Sequence, residues 1–327
     1  MKKMVLAAAT ALGFASPALA ADEVRLQLQW VTQAQFAGYY VALDQGFYAE
    51  EDLDVTILPG GPDIAPPQVL AGGGADAMLN WMPSALAARE KGLPVVNIAQ
   101  PFASSGLMLT CWKDTGITGP QDFRGKTIGV WFFGNEYPFL SWMSQEGIPT
   151  EGGPDGVTVL KQGFNVDPLL QRQADCISTM TYNEYWQVID AGFKPEDLVV
   201  FNYTDQGVAT LEDGIYVLEA NLADAAFADK MARFVRASMR GWKWAEENPT
   251  EAAMIVLDYD ETGAQTEEHQ VRMMGEIAKL TAGSNGALDP ADFDRTVSTL
   301  LAGGSDPVIT AVPEGAWTHA ITDLALQ

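Results

Sequence analysis

Val24, Leu26, Leu28 and Trp30 alternate with polar residues, a period of two that predicts a strand over 24–30. Small and amide residues follow, Gln33 and Gln35 among them, before 36–48 offers a helical segment with Gly46 near its end. The loop between such a strand and helix is where open α/β sheets gather ligands, because helix N-terminal N–H groups and loop side chains converge there. Residues 53–58 predict a second strand ending at the turn Pro59-Gly60-Gly61-Pro62-Asp63. A short helix from Pro66, a buried strand entered through Gly72-Gly73-Gly74-Ala75-Asp76, a helix over 83–91 and a strand over 95–99 complete a first unit. Strands alternating with helices predict parallel pairing.

The pattern then repeats. Residues 126–131 predict a strand, 137–146 a helix, 157–160 a strand and 166–173 a helix. Ala174-Asp175-Cys176-Ile177 echoes Ala75-Asp76-Ala77-Met78, and the matching order of elements over some eighty residues predicts two similar lobes. Strands over 198–203 and 215–218 flank an acidic loop. Helices are predicted over 225–248, 251–257, 267–280, 290–301 and 315–324, all packing on the first lobe. The expected division is a leader at 1–20, a first lobe of 21–106 with 213–327, and a second of 107–212. Two chain crossings, near 104–110 and 204–214, would form a two-strand hinge with a cleft beside it.

Lys2 and Lys3, the apolar stretch 4–15 and the small residues Ala18-Leu19-Ala20 read as a secretory leader cut after Ala20. The cleavage region lacks the cysteine that a lipid anchor requires, so an exported, periplasmic, untethered monomer is expected. The formal charge is −24, and losing Lys2 and Lys3 makes it two units more negative. Such a surface repels phosphate backbones and anionic lipid, which argues against nucleic acid and membrane adsorption; its plainest role is solubility. The two cysteines, Cys111 and Cys176, could form one disulfide in an oxidising compartment, and spacing alone leaves this open. His269 and His319, the only histidines, lack metal-ligand spacing, so neither metal nor cofactor is expected.

Candidate ligand contacts lie at strand ends and the loops after them. The first lobe offers Trp30, Gln35, Phe36, Tyr39, Asn80 and Trp81, with Ser104 and Ser105 at the crossing. The second offers Trp131, Asn135, Glu136 and Tyr137, then Tyr182, Asn183 and Glu184. Aromatic faces and amides with almost no Arg or Lys suit a planar, uncharged heteroaromatic ring read at its edges by hydrogen bonds. An anion would call for Arg or a bare helix N-terminus. Trp142, Trp242, Trp244 and Trp317 sit in helical patterns and are assigned to packing, while Asp76 and Asp175 read as hydrogen-bond anchors at strand entries. Residues 119–127 mimic a phosphate loop but carry five residues between the glycines and precede a strand. No Gly-x-Ser-x-Gly elbow occurs.

The motifs Ala37-Gly38-Tyr39-Tyr40-Val41-Ala42, Gly46-Phe47-Tyr48-Ala49-Glu50, Pro59-Gly60-Gly61 and Gly74-Ala75-Asp76 resemble those of solute-binding proteins of ABC importers. Within them the chain is similar to the branch related to yeast thiamine-pyrimidine synthase, whose bacterial members bind thiamine-pyrimidine precursors, riboflavin or alkanesulfonates. The resemblance implies an α/β periplasmic-binding-protein fold of type II, no enzymatic activity, and delivery of a heteroaromatic solute to a permease with its ATPase. One departure stands out: Phe36 occupies the place where pyrimidine-binding and synthase members carry a histidine. The cysteine-rich iron motif of the yeast enzyme is also missing, which argues against synthase chemistry. Binding of an alkanesulfonate-like anion is the principal alternative, and a pyrimidine-synthase-like enzyme a weaker one.

Overall fold

A computed structural model describes residues 20–303 and 307–327; the leader expected at 1–20 falls, apart from Ala20, outside the described residues. Strands β1 (Asp22–Gln27), β2 (Leu53–Leu58), β3 (Ala77–Asn80) and β4 (Val95–Ala99) open the chain. Then come β5 (Leu107–Trp112), β6 (Thr127–Val130), β7 (Thr158–Lys161), β8 (Cys176–Met180), β9 (Leu198–Asn202) and β10 (Gly214–Leu218). They form two five-stranded sheets in the orders β2-β1-β3-β10-β4 and β7-β6-β8-β5-β9. The architecture is a two-lobed α/β fold.

Both sheets are mixed rather than parallel. β10 runs antiparallel to β3 and β4, and β5 antiparallel to β8 and β9. Each reversed strand is the one that enters its sheet directly from the other, so its direction is set by the crossing rather than by a helix. Leu107–Trp112, expected to be part of a crossing, is therefore a central strand, and all six of its residues are buried. The chain crosses before it, after β4, and again between β9 and β10.

The Ala-Asp echo has a structural meaning. Asp76 Oδ2 accepts the Arg25 backbone N–H at 2.8 Å, and Asp175 Oδ2 accepts that of Thr127 at the same distance. Each aspartate ties the entry of its strand to the neighbouring parallel strand, β1 or β6. In the second sheet Cys111 and Cys176 stand directly opposite on β5 and β8 and are joined by a disulfide.

Helices cover the first sheet. Ala225–Glu247, capped by the Asp224 carboxylate on Ala226 N, lies across Ala37–Asp44. Their backbones touch: a Cβ on Gly241 would sit 1.9 Å from the Gly38 carbonyl oxygen, and one on Gly38 would strike the Trp242 ring. Pro249–Asp258 and Glu267–Thr281 follow on the same side. Pro290–Leu301 also packs against Tyr137–Gln145, which follows β6 of the second sheet, so the C-terminal helices do not serve the first sheet alone. The last helix is Ala320–Ala325 rather than 315–324, because backbone bonds to Asn97 hold 316–318 extended beside β4. Among the described residues no helix is long and apolar enough to cross a membrane.

Candidate ligand-binding site

β1 stops at Gln27, three residues short of the expected end at Trp30. Beyond it the chain is irregular, tied to the end of β2 and the residues after it by single backbone bonds from Leu28 N to Leu58 O and from Gly60 N to Trp30 O. The neighbouring β2 ends at Leu58, and Pro59 after it has no N–H to continue the ladder. The released segment turns Gln29, Trp30, Gln33 and Gln35 toward the space between the sheets.

There they meet the loops that follow β6 and β8. A narrow cavity of about 30 Å³ is lined from the first lobe by Gln29, Trp30, Gln33, Gln35 and Trp81. The second lobe supplies Trp131, Asn135, Met180, Tyr182 and Glu184. No lining residue is Arg or Lys. The ring centroids of Trp30 and Trp131 are 6.1 Å apart at an interplanar angle of 67°. A ring sandwiched between two others needs about 7 Å, twice the contact distance of ~3.5 Å. In this closed arrangement the two tryptophans therefore touch edge to face and roof the cavity instead of bracketing a ring.

The cavity floor is a chain of hydrogen bonds that passes from one lobe to the other. Gln29 Nε2 donates to Asp213 Oδ1, and Gln35 Nε2 donates to Asp213 Oδ2 at 2.7 Å. Gln33 Nε2 donates to Gln35 Oε1 at 2.6 Å. Asn183 Nδ2 reaches Gln33 Oε1 at 3.3 Å and Glu184 Oε1 at 2.8 Å, and His269 Nε2 donates to Asn183 Oδ1 at 2.9 Å. Glu184 Oε2 takes the Met180 N–H at 3.0 Å. Burial pushes the carboxyls of Glu184 and Asp213 up to about 7, against these hydrogen bonds, which favour the charged form. The crossings are clasped beside the site by Glu212, which accepts from Ser105 Oγ at 2.5 Å and from the N–H groups of Gly106 and Leu107. Its burial raises the carboxyl to about 8.

The structure brings together seven of the sequence-derived candidates on the cavity wall: Trp30, Gln35, Trp81, Trp131, Asn135, Tyr182 and Glu184. Asn183 lies just behind it, in the interlobe chain. Phe36 and Tyr39 are instead fully buried core residues, because the helix they begin turns that face onto Ala225–Glu247 and its neighbours. Asn80 donates to Ser84 Oγ and accepts the Trp81 N–H, so both ends of its amide are engaged within the first lobe. Ser104 is exposed, and Ser105 serves Glu212. Glu136 folds back onto Gly134 N at 2.7 Å, and Tyr137 packs against the cluster around Met82 and Leu211. Gln29, Gln33, Met180 and Asp213 were not among the candidates. The glutamines carried a signal, an unusual density of amides between 27 and 35, whereas Asp213 gave none because its position depends on the second crossing.

A family model described as NMT1/THI5 like matches residues 33–252, spanning both sheets and both crossings. The chain belongs to the NMT1/THI5-like family. It is 26% identical to a formylaminopyrimidine-binding protein of Halalkalibacterium halodurans over 86% of this chain and 85% of that one. A riboflavin-binding protein of Chloroflexus aurantiacus is 27% identical over 73% of this chain and 66% of its own length. Among solved structures, a periplasmic sulfonate-binding protein of Methylobacillus flagellatus superposes with a TM-score of 0.62 at 15% identity, over 94% of each chain. That likeness speaks to the fold.

Proposed function

We propose that this protein is the periplasmic solute-binding component of an ABC importer, and that it captures a planar nitrogen heterocycle of the thiamine-pyrimidine or flavin kind. The observation that carries the reading is the cavity wall: three tryptophans, a tyrosine, four amides and one carboxylate, with no cation. Such a wall offers apolar faces for a ring and both donors and acceptors for its edge, and nothing to neutralise a sulfonate. The two relatives that bind such rings support the same class. Ligand contacts to both lobes stabilise the closed form, which then docks on a permease served by a cytoplasmic ATPase. The leader is removed after Ala20, and the protein acts as a monomer that binds its ligand without a cofactor or catalytic step.

Thermal unfolding tests this directly, since a ligand that binds only the folded state raises the midpoint. Formylaminopyrimidine or riboflavin is expected to raise it, and taurine or another alkanesulfonate to leave it in place. A shift with sulfonates alone would contradict the reading, and consumption of a bound heterocycle would move the protein to the enzyme class.

A further inference from the structure

The helix Glu267–Thr281 belongs to the first lobe, where it packs on Pro249–Asp258 and Ala225–Glu247. Its buried Gln270 accepts the Ala34 N–H at 2.6 Å and so holds the loop that carries Gln33 and Gln35. Neighbouring side chains of the same helix reach across to the second lobe. Arg272 Nη1 donates to both carboxylate oxygens of Asp190, at 2.8 and 2.7 Å, and its guanidinium lies 5.0 Å from the centre of the Trp186 ring. Glu268, one turn earlier, accepts from Arg272 Nη2 at 3.2 Å and steadies the guanidinium from its own helix. His269 Nε2 donates to Asn183 Oδ1 at 2.9 Å, and its Nδ1 stands 3.7 Å from Asp190. Trp186 and Asp190 lie on the helix Glu184–Asp190, and Asn183 immediately precedes it. A helix of one lobe thus grips a helix of the other.

Asn183 connects this grip to the cavity. Its amide is fully used: Oδ1 accepts from His269 and from Gln187 Nε2, and Nδ2 donates to Gln33 and Glu184. Two of these four bonds cross between the lobes, and a third holds the one carboxylate of the cavity wall. Another ion pair between the lobes, Lys161 with Asp63, is 50% and 82% exposed, the kind of pair that contributes little. Arg272 is only 25% exposed, and a guanidinium seated on an aromatic face and bonded on two sides keeps its geometry. Neither Arg272 nor Asp190 lines the cavity. A ring between Trp30 and Trp131 needs about 1 Å beyond their present 6.1 Å, a shift at the roof that leaves the contacts behind the floor within reach.

We infer that this contact is a closure latch: Arg272 and His269 of the first lobe, holding Asp190 and Asn183 of the second, are positioning residues that set ligand affinity without touching the ligand. This rests on the reading of the cleft as the ligand site. The latch stabilises the arrangement in which both walls face the ligand, and by fixing Asn183 it fixes the Glu184 carboxylate. Release requires the latch to part, so its loss acts on dissociation more than on association.

Asp190→Asn, Arg272→Gln and the double variant test this. The distance between the lobes is read without ligand, by pulsed electron spin resonance between labels at Glu23→Cys and Lys194→Cys, exposed on the first and second lobe. Each single variant is expected to lower the closed fraction, and the double variant to lower it no further, because all three remove the same contact. Riboflavin and formylaminopyrimidine are the affinity probes. The Kd of whichever binds is expected to rise about fivefold, chiefly through faster dissociation. It should rise by the same factor as the closed fraction falls. Unchanged distances, additive losses in the double variant, or tighter binding would each overturn the latch. A lower melting temperature with distances kept would make the contact merely structural and overturn it too. If neither probe binds the wild type, the heterocycle reading fails, while the ligand-free distances still decide the latch.

Discussion

The two sheets share one topology and are stabilised in different ways. In each, three parallel strands are followed by a reversed strand arriving from the other sheet and then by an edge strand, and in each an aspartate anchors the equivalent strand entry. The first sheet is buttressed by the long helix Ala225–Glu247 and its successors, packed so closely that Gly38 and Gly241 allow no side chain. The second has only short helices of its own, Tyr137–Gln145, Asp167–Leu170 and Glu184–Asp190, and carries a disulfide between its reversed strand and its central one. A smaller core gains more from a covalent staple, and a larger one can rely on packing.

Removing the staple is the strongest way to break this comparison. Replacing Cys111 and Cys176 together by Ala is expected to cost ~2–5 kcal/mol. Hydrogen exchange should localise the loss to 107–202, and a loss spread evenly over both sheets would contradict the account.

Next in size is the pH dependence of folding, which probes where the two halves meet. Burial raises Glu184 and Asp213 to about 7 and Glu212 to about 8. Unfolded carboxyls titrate near ~4. Between these limits the folded protein holds more protons than the unfolded chain, so stability is fully present below ~4 and is lost as pH rises toward 8. The unliganded protein should therefore melt higher at pH 5 than at pH 8. Glu212→Gln should flatten the slope.

Gly241→Ala is the counterpart on the first sheet. Its Cβ would meet the Gly38 carbonyl, so overpacking should cost about 2 kcal/mol, read by denaturant unfolding, with protection of the second sheet preserved.

The smallest effect concerns the ligand. If the Glu184 carboxylate accepts an N–H from the ring edge in addition to its bonds from Met180 and Asn183, affinity should rise about tenfold from pH 6 to pH 8 as the group ionises around 7. Glu184→Gln should abolish that dependence.

Much of this was legible in the sequence, for identifiable reasons. Alternation and helical periodicity are local, and the strands, the long helices and the repeated lobe were read from them. The Ala-Asp echo was visible because the same hydrogen bond is needed twice. β5 was missed because Leu107–Trp112 is buried on both faces and so lacks alternation, and β10, though expected as a strand, takes its reversed direction from the crossing, which no local pattern records. Of the candidate site residues, the aromatics at strand ends line the cavity, while Phe36 and Tyr39 lie in the core because a helix beginning at a cleft still turns one face inward. The place of Asp213 depends on how the crossings bring distant segments together, and no local pattern encodes that.

The central claim is that one ligand is held by walls from both lobes, Trp30 from the first and Trp131 from the second. It is tested most directly by calorimetric titration of the wild-type protein, Trp30→Ala and Trp131→Ala with the heterocycle that stabilises it. The account predicts that each substitution weakens binding at least tenfold, since each removes about half of the aromatic roof. If either variant binds as tightly as the wild type, the ligand rests on one lobe alone and the account of the cleft is wrong.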